Sequence, residues 1–396
     1  MVSMKILVVS HTYLIAFNQR KWVQFLEIDP DVQIRLITPR FLPTAFGIRK
    51  RERNAALDAD AVVELRSYFN RSHMHYWVDP FGFARLLRNF RPDRIHIEED
   101  PYSMAGFETV LLARLFARQA KISFFLWDNL AREPGGPKSL LKRGLNRFGL
   151  GRADLVICGN RQGQALLQEK KNYAGRSMVL PQLGLTASEY AGGKNFELRE
   201  ELGVGRETVL IGYVGRMVPE KGIMTLLDAF AGLDGRDCKL VLLGSGPMEP
   251  KIEAFCQTRP PGRAIRVNTV PHEKVPHYMR ALDLFVLPSM STPTWVEQFG
   301  IVLAQAMLAG VPCVGSSSGA IPDVIGPGGL VFEEGDAKAL LDQLLRLVDS
   351  PSQRSRLGEL ARSYALAHYT QQAVASAYMA VFRQGESAHT RLVELS

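Results

Sequence analysis

Residues 295–325 read WVEQFGIVLAQAMLAGVPCVGSSSGAIPDVI. In this stretch the carboxylate of Glu297 precedes a helix-length run of small and apolar residues that starts after Phe299 and Gly300. An apolar strand and a Gly/Ser-rich loop follow. The first turn of such a helix offers free backbone N–H groups and the positive end of the helix dipole, both of which favour anions. A carboxylate beside this helix can accept hydrogen bonds from hydroxyl groups. The segment therefore predicts a binding site for a sugar that is linked to a diphosphate.

The alternation of apolar strands with helix-length segments runs through the whole chain. Near-continuous Val/Ile/Leu runs of this kind predict parallel sheets that are covered by helices on both faces. Strands are predicted at residues 5–10, 33–38, 61–65, 94–98, 121–127, 155–158, 178–180, 209–214, 239–243, 265–269, 284–287, 312–315 and 330–332. The fold class is therefore α/β, with two Rossmann-like parallel-sheet domains.

A chain of 396 residues has the length of two domains. We place the first at 1–186, a polar, glycine-rich linker at 187–206, and the second at 207–369. A terminal helical pattern, about 370–396, has apolar residues at helical spacing. It either crosses back onto the first domain, as we expect, or stays beside the second.

Composition and charge narrow the class of protein. The chain has no run of 18 apolar residues, so no membrane-spanning helix is expected. Its four cysteines lack metal-ligand spacing and indicate reduced residues of a cytoplasmic protein. The net charge of +8 is uneven, because residues 1–186 alone carry a net charge of +11. This favours an acidic acceptor, a nucleic acid or an anionic membrane, unless the basic face is merely solvated. Without a recognisable nucleic-acid-binding module, we expect no nucleic-acid partner.

Two glycine turns follow apolar strands in the second half. Gly215 begins the first turn, and Arg216 and Lys221 lie five residues apart around it. Two such cations at the carboxyl edge of a sheet can neutralise a diphosphate, or they can be solvated charges of a surface loop. Gly244 and Gly246 form the second turn, a motif that is weak on its own.

Taken in order, these motifs resemble the second domain of the family 4 retaining glycosyltransferases. The resemblance is carried by Gly-Arg-x-x-x-x-Lys-Gly at 215–222, Gly-x-Gly-Pro at 244–247, Ala-x-Asp-x-x-x-x-Pro-Ser at 281–289, Glu-x-Phe-Gly at 297–300 and Ala-Gly-x-Pro at 309–312. It implies a GT-B fold, in which two Rossmann-like domains face a central cleft. It also implies a nucleotide-sugar donor on the second domain, an acceptor on the first, no cofactor and no obligatory metal.

The same resemblance suggests roles for single residues. Arg216 and Lys221 would bind the donor diphosphate, and Glu297 would bind the sugar hydroxyls. These three residues are the candidate catalytic residues. The further candidates for donor binding are Gly215, Gly244, Gly246, Phe299, Gly300, Ile301 and Gln305. The family usually has a second glutamate at the last of these positions, where it holds the ribose. An amide still hydrogen-bonds to a ribose, although without the charge.

The first domain resembles the family less closely. His11 follows the first strand where paired glycines are common, and Trp127 and Asp128 stand where a histidine is common. A tryptophan can stack on a sugar or pack into the core, but it cannot act as a base. Glu98 and Glu99 end another strand, where they would orient an acceptor hydroxyl or basic group, cap a helix or pair with arginines. These five residues form the candidate acceptor side.

The stretch 138–152 is basic and amphipathic. Leu141, Leu145 and Phe148 share one helical face, and lysine and arginine residues lie off it. A helix of this type lies on an anionic bilayer, which would suit a lipid-linked acceptor, or it packs on the sheet.

The sequence thus predicts a hexosyltransferase-type retaining glycosyltransferase. It would move a sugar from a UDP- or GDP-sugar to a glycan or lipid-linked acceptor in polysaccharide or glycolipid biosynthesis. We expect a cytoplasmic protein, either free or peripheral on the inner face of the membrane. Two alternatives remain at this point, a GT-B sugar-nucleotide epimerase and a non-catalytic sugar-nucleotide-binding protein, the latter suggested by Gln305 and Trp127.

Overall fold

The computed structural model describes residues 3–44, 47–130, 136–169 and 173–384, which divide into two compact units. Unit 1 takes in the chain up to Gly184 and again from Gln371 onward, and unit 2 is Leu185–Thr370. Each unit is built on a six-stranded parallel sheet, so the predicted α/β class with two Rossmann-like domains is confirmed.

The strands and helices alternate along the chain. The strands are β1 (Lys5–Val9), β2 (Gln33–Ile37), β3 (Phe41–Thr44), β4 (Gly47–Lys50), β5 (Ser67–Tyr68), β6 (Trp77–Val78), β7 (Arg94–Ile97), β8 (Lys121–Leu126), β9 (Leu155–Cys158), β10 (Ser177–Val179), β11 (Val209–Val214), β12 (Cys238–Leu243), β13 (Ala264–Val267), β14 (Leu284–Leu287), β15 (Cys313–Ser316) and β16 (Gly329–Phe332). The helices are α1 (Arg20–Ile28), α2 (Pro80–Phe90), α3 (Met104–Phe116), α4 (Pro137–Leu150), α5 (Arg161–Glu169), α6 (Phe196–Glu201), α7 (Ile223–Ala231), α8 (Glu249–Gln257), α9 (Val275–Ala281), α10 (Ile301–Leu308), α11 (Ile321–Ile325), α12 (Ala337–Val348), α13 (Pro351–His368) and α14 (Gln371–Gln384).

The order of strands locates the place in each sheet where a ligand can enter. Unit 1 has the order β10-β9-β8-β7-β1-β2, and unit 2 has the order β13-β12-β11-β14-β15-β16. The direction of winding therefore reverses between β1 and β7 and again between β11 and β14. Open α/β sheets bind ligands beyond the carboxyl ends of the strands at such a switch point.

One predicted strand, at 61–65, does not form as a strand. Val62 makes only an isolated bridge to Leu36 of β2. The carbonyl oxygens of Val63 and Leu65 instead accept hydrogen bonds from the guanidinium of Arg51, at 3.3 and 3.0 Å. A side chain therefore takes the carbonyl groups that a neighbouring strand would otherwise bind.

The stretch 187–206, predicted as a linker, is part of unit 2. It contains α6, whose Arg199 is 1% exposed. The Arg199 guanidinium donates to the carbonyl oxygen of Ala281 at 2.8 Å and to Oδ2 of Asp283 at 2.9 Å. A buried charge held in this way anchors the segment to the body of the unit.

The terminal helix α14 belongs to unit 1, where it packs on α1. The rings of Phe25 and Phe382 lie 6.1 Å apart between the two helices. Nη2 of Arg94 donates to the carbonyl oxygen of Phe382 at 2.6 Å. The rest of the predicted terminal segment, 385–396, lies outside the described residues.

A fully buried ion pair ties α1 to the end of β7. Lys21 Nζ lies 2.7 Å from Glu98 Oε1, and both side chains have no exposed surface. Tyr13 donates its hydroxyl to the same oxygen at 2.6 Å, and Gln182 donates to Oε2 at 2.7 Å. Burial alone would raise the pKa of Glu98, but Lys21 and His96 lower it to about 2. Glu98 is therefore an ionised carboxylate whose two oxygens both have partners within unit 1.

Replacing the cation of this pair tests its structural role. Lys21→Met keeps the side-chain volume but leaves the Glu98 carboxylate buried without a counter-charge, so the free energy of unfolding should fall by about 3–5 kcal/mol. Urea unfolding at neutral pH measures the change. Adding Glu98→Gln to the same chain should recover part of the loss, and an unchanged midpoint for Lys21→Met would contradict this interpretation.

Candidate functional site

Two loops meet at the switch point of unit 2. One follows β11 and contains Lys221, and the other follows β14 and contains Glu297. Lys221 Nζ lies 2.5 Å from Glu297 Oε2, and the two side chains are 15% and 9% exposed. Ser289 donates its hydroxyl to the same carboxylate oxygen at 2.9 Å. The fold thus brings together two of the three residues predicted as catalytic.

Close backbone packing sets the position of Lys221. The next residue, Gly222, has φ of +64°, and a Cβ there would lie 1.8 Å from the carbonyl oxygen of Pro288. Only glycine fits this approach of the two loops. The backbone N–H of Met290 also donates to the carbonyl oxygen of Glu220 at 2.8 Å. The Lys221 ammonium lies 4.7 Å from the centre of the Trp295 ring, a cation–π contact that limits where the charge can move.

Glu297 is held from the opposite side by the loop after β15. Ala320 donates its backbone N–H to the carbonyl oxygen of Glu297 at 3.0 Å. Gly300 then turns the chain with φ of +74° into α10, which begins at Ile301. Gly300 is buried, whereas Ile301 is 42% exposed. A Cβ on Gly300 would lie 3.7 Å from Cγ of Glu297, so the Glu297 side chain lies beside the N-terminus of α10, where anions are favoured.

Phe299, predicted to contribute its backbone amide, packs its ring within unit 2. The ring meets that of Tyr369 edge to face at 5.4 Å. This contact fixes the backbone just ahead of α10.

The glycine turns after β11 and β12 pack against each other. A Cβ on Gly244 would lie 1.9 Å from the carbonyl oxygen of Gly215, and one on Gly246 would lie 2.5 Å from that of Met217. Met217 also donates its backbone N–H to the carbonyl oxygen of Ser245 at 2.8 Å. The contact of these glycines is therefore backbone to backbone, and it shapes the loop that carries the two predicted cations.

Arg216 lies in this loop with its side chain exposed. Tyr213 donates its hydroxyl to the carbonyl oxygen of Arg216 at 2.7 Å, which holds the backbone there. Burial, and to a lesser degree the Glu297 carboxylate, raise the pKa of Tyr213, so the hydroxyl stays neutral. Within the described residues the Arg216 guanidinium has no ion-pair partner, so its charge is available to an anion.

Gln305, expected to contact a ribose, is only 2% exposed on α10. Its side chain lies beside the buried hydroxyl of Tyr190. Burial raises the pKa of that hydroxyl, and the Gln305 amide partly offsets the rise. The Gln305 amide is therefore buried in the unliganded protein.

The predicted acceptor residues gather at the carboxyl edge of the first sheet. Trp127 donates its indole N–H to Gln182 at 2.8 Å, and Gln182 donates in turn to Glu98. His11 Nδ1 lies 2.8 Å from Glu99 Oε1. Asp128 follows Trp127 and is half-buried.

Sequence reasoning missed the partners of these residues. Lys21 and Gln182 bind Glu98, and Tyr76 binds Glu99. Each partner lies at least 23 positions away along the chain, so no local motif marks the pairs.

The site in unit 2 combines an ammonium, a carboxylate, an exposed guanidinium and a helix N-terminus. The cations can hold a diphosphate, and the carboxylate can accept hydrogen bonds from hydroxyl groups. No group of His, Cys, Asp and Glu suited to a metal ion occurs among the residues that the structure describes. The arrangement is chemically complementary to a sugar diphosphate.

Two family models match the chain. "Glycosyl transferases group 1" matches residues 194–364, and "Glycosyl transferase 4-like domain" matches residues 29–182. Alpha-D-kanosaminyltransferase of Streptomyces kanamyceticus is 31% identical over 195 residues, which cover 48% of this chain and 48% of that protein. The chain thus matches about half the length of this curated relative.

Solved structures match over nearly the whole chain. A glycosyltransferase from Rickettsia africae has a TM-score of 0.72 at 13% identity and covers 98% of this chain and 99% of its own. Anabaena HepE, solved in complex with UDP, has a TM-score of 0.69 at 18% identity and covers 96% of this chain and 99% of its own. These likenesses show the fold, which is GT-B.

The two family models lie one on each unit, and together they span most of the chain. Of the motifs that carry the resemblance, those that contain Lys221 and Glu297 lie at the switch point of unit 2. The chain belongs to the family 4 glycosyltransferases of the GT-B fold.

Proposed function

We propose that this protein transfers a sugar, with retention of its anomeric configuration, from a nucleotide diphosphate sugar to a hydroxyl of a glycan or lipid-linked acceptor. The observation that carries the proposal is the Lys221–Glu297 pair at the carboxyl edge between β11 and β14. The UDP in the structure of Anabaena HepE supports a UDP-sugar, and a GDP-sugar is the alternative. Polysaccharide or glycolipid biosynthesis in the cytoplasm is the proposed setting.

The donor would bind by an exchange of partners. Lys221 is paired with Glu297 and stacked on Trp295, while Arg216 is exposed nearby in sequence on the same loop. A diphosphate brings negative charge to both cations, and sugar hydroxyls donate to Glu297. The backbone amides of Gly300 and Ile301 would meet the phosphate next to the sugar.

Catalysis would consist of stabilising the departing diphosphate. As the bond between the sugar C1 and the phosphate oxygen breaks, negative charge grows on the leaving group, where Arg216 and Lys221 stabilise it. The acceptor oxygen forms the new bond to C1 on the same face, and its proton leaves on the diphosphate. Because Arg216 and Lys221 supply the positive charge, the proposed reaction needs neither a cofactor nor an obligatory metal.

The first experiment removes the ammonium. A thermal-shift screen with UDP-, GDP- and ADP-sugars identifies the donor, because a ligand that binds only the folded state raises its stability. Lys221→Ala should weaken binding of that donor and lower turnover about a hundredfold or more. The Lys221 ammonium contacts Glu297 and Trp295, which both belong to the site, so the fold of the unliganded protein should survive the substitution.

Lys239→Ala is the matched control. Lys239 lies near the start of β12, at the opposite edge of the same sheet, and donates to the carbonyl oxygen of Gly203. This variant should bind and turn over the donor like the parent protein. Unchanged donor affinity in Lys221→Ala would show that the diphosphate lies elsewhere.

A second test concerns the predicted contact between Gln305 and the ribose of the nucleotide. Gln305→Glu puts a carboxylate at a position that is 2% exposed, so the unliganded melting temperature should fall. Ribose hydroxyls would then donate to a charged acceptor, so the rise in melting temperature on adding the nucleotide should exceed that of the parent. Gln371→Glu, at a buried glutamine of unit 1, should lower the melting temperature without this larger rise. Loss of nucleotide binding in Gln305→Glu would contradict the ribose assignment.

One surface of unit 1 suits a lipid-linked acceptor. Leu140 and Leu141 of α4 are 65% and 66% exposed, whereas Leu145 and Phe148 of the same helix are half-buried. Phe148 packs against Phe107 of α3. The predicted amphipathic face is therefore divided between packing and solvent.

Arginines surround a further exposed leucine of unit 1. Arg114, Arg118 and Arg152 line one cavity of about 400 Å³ with Leu115, which is 53% exposed. Exposed leucine with clustered arginine is complementary to an anionic bilayer surface. Among the described residues no helix is long and apolar enough to span a membrane. We propose peripheral contact with the inner face of the membrane through this patch.

Vesicle sedimentation tests the membrane contact. Binding to vesicles that contain phosphatidylglycerol should exceed binding to phosphatidylcholine alone, and salt should weaken it. The double variant Leu140→Gln with Leu141→Gln should reduce it about tenfold or more, because each buried leucine contributes about 1.5 kcal/mol or more. Leu360→Gln with Leu366→Gln, at exposed leucines of α13, is the control and should have no effect. Equal binding to both vesicle types would contradict the proposal.

A non-catalytic sugar-nucleotide-binding protein is the second candidate, because Gln305 is an amide and is buried. Such a protein would bind the donor tightly and release no nucleoside diphosphate. An epimerase would convert the nucleotide sugar with no acceptor present. Product analysis of the parent protein with the donor from the screen separates the three activities.

A further inference from the structure

The switch point of the first sheet also carries a charged pair. His11 follows β1 and Glu99 lies two residues beyond β7, and these strands are the neighbours between which the winding reverses. Glu99 Oε1 lies 2.8 Å from Nδ1 of His11 and accepts the backbone N–H of the same residue at 2.5 Å. Tyr76 donates its hydroxyl to this oxygen at 2.8 Å. The pair thus occupies in unit 1 the place that Lys221 and Glu297 occupy in unit 2.

These contacts decide which ring nitrogen carries the proton. Oε1 of Glu99 accepts hydrogen bonds from the His11 backbone N–H and from Tyr76, so it also acts as the acceptor toward Nδ1, which assigns the ring proton to Nδ1. In the neutral ring the lone pair then lies on Nε2. The Glu99 side chain is 1% exposed and that of His11 is 34% exposed. The Nε2 edge therefore faces outward, and it has no hydrogen-bond partner in the described part of the chain.

The surroundings of the ring favour a neutral ligand. His73 stacks on His11 with ring centres 4.9 Å apart and so covers one face. The charged and titratable groups near the pair are Glu98, Glu99 and Asp100 after β7, and His73, His75 and Tyr76 before β6. Glu99 and Asp100 oppose an anion at this point, whereas the charge of Glu98 is balanced by Lys21. Glu99 Oε2 is buried without a donor among the described residues, which leaves a polar atom for a further hydroxyl.

We propose that Nε2 of His11 accepts a hydrogen bond from a hydroxyl of the acceptor, and that Glu99 and Tyr76 position the ring for this contact. The proposal rests on the proposed glycosyl transfer. His11 takes no proton in it: the acceptor oxygen bonds to C1, the bond between C1 and the phosphate breaks, and the hydroxyl proton leaves on the diphosphate. The ligand class is a neutral alcohol or sugar hydroxyl.

The contact depends on pH, because an imidazolium has no lone pair to offer. Burial lowers the pKa of His11, but Glu99 outweighs this effect, so the pKa of His11 lies above its usual value of 6.5. The accepting, neutral form therefore grows as pH rises through this raised pKa. Turnover should increase with pH in the same range, and Glu99→Gln should move the inflection to lower pH because the charge is lost.

The experiment measures release of nucleoside diphosphate from the nucleotide sugar that gives the largest thermal shift. Water and n-octyl glucoside serve as hydroxyl probes, and rates are followed between about pH 5 and 8. His11→Ala should lower turnover about tenfold, the effect of one lost hydrogen bond. His11→Gln, whose amide reaches the place of Nε2 but does not titrate, should retain part of the rate and lose the inflection. His75→Gln, at a neighbouring histidine that hydrogen-bonds to Ser72, should match the parent.

Donor binding separates this proposal from the function on which it rests. All four variants should keep the donor-induced thermal shift of the parent, since the donor site is in unit 2. A parent protein that binds no nucleotide sugar would overturn the proposed function itself. Normal donor binding with equal turnover in His11→Ala and His75→Gln, or an inflection that Glu99→Gln leaves in place, would overturn the role of His11 alone.

Discussion

The contact between Lys221 and Glu297 is the constraint on which the candidate donor site depends. It joins the loops that follow β11 and β14, and these loops meet because the strand order of the second sheet reverses between those two strands. Gly222 lets the backbones approach more closely than any side chain would allow. With the ammonium already neutralised by a partner, the unliganded protein holds the charge in place at little cost, and a diphosphate can take it over.

The switch points of the two units carry different pairs of charged residues. In unit 2 the switch point holds a lysine beside a glutamate, next to an exposed arginine. In unit 1 it holds a histidine beside a glutamate, with a second glutamate buried on Lys21 directly alongside. One arrangement suits a diphosphate that carries several charges. The other suits a neutral hydroxyl whose hydrogen bond must be directed, which matches the proposed roles of a donor site and an acceptor site.

Sequence patterns predicted the parts of the fold that depend on local signals. Continuous apolar runs marked the strands of both sheets, because a strand buried on both faces has no alternation. Arg216, Lys221 and Glu297 could be predicted because two of them flank a glycine turn, the third precedes a helix, and the order of these motifs resembles a known family. The structure adds that Lys221 and Glu297 are direct partners across 76 positions of sequence.

What the sequence could not reveal are contacts between distant residues. Lys21 lies on an amphipathic helix, where a lysine normally indicates a solvated face, yet it is fully buried on Glu98. The pairing of His11 with Glu99 joins strand ends 88 positions apart. The glycine-rich stretch 187–206 has the composition of a linker, but the buried Arg199 anchors it to unit 2. In each case tertiary packing overrides the local pattern.

Hydrogen–deuterium exchange with and without the nucleotide sugar tests the location of the donor site most directly. Backbone amides at 215–222 and 288–301 should exchange more slowly in the presence of the donor, because these loops would contact the diphosphate and the sugar. Peptides from the opposite edge of the same sheet should be unaffected. Slower exchange confined to regions other than these two loops would contradict the assignment of the donor to the Lys221–Glu297 edge of unit 2.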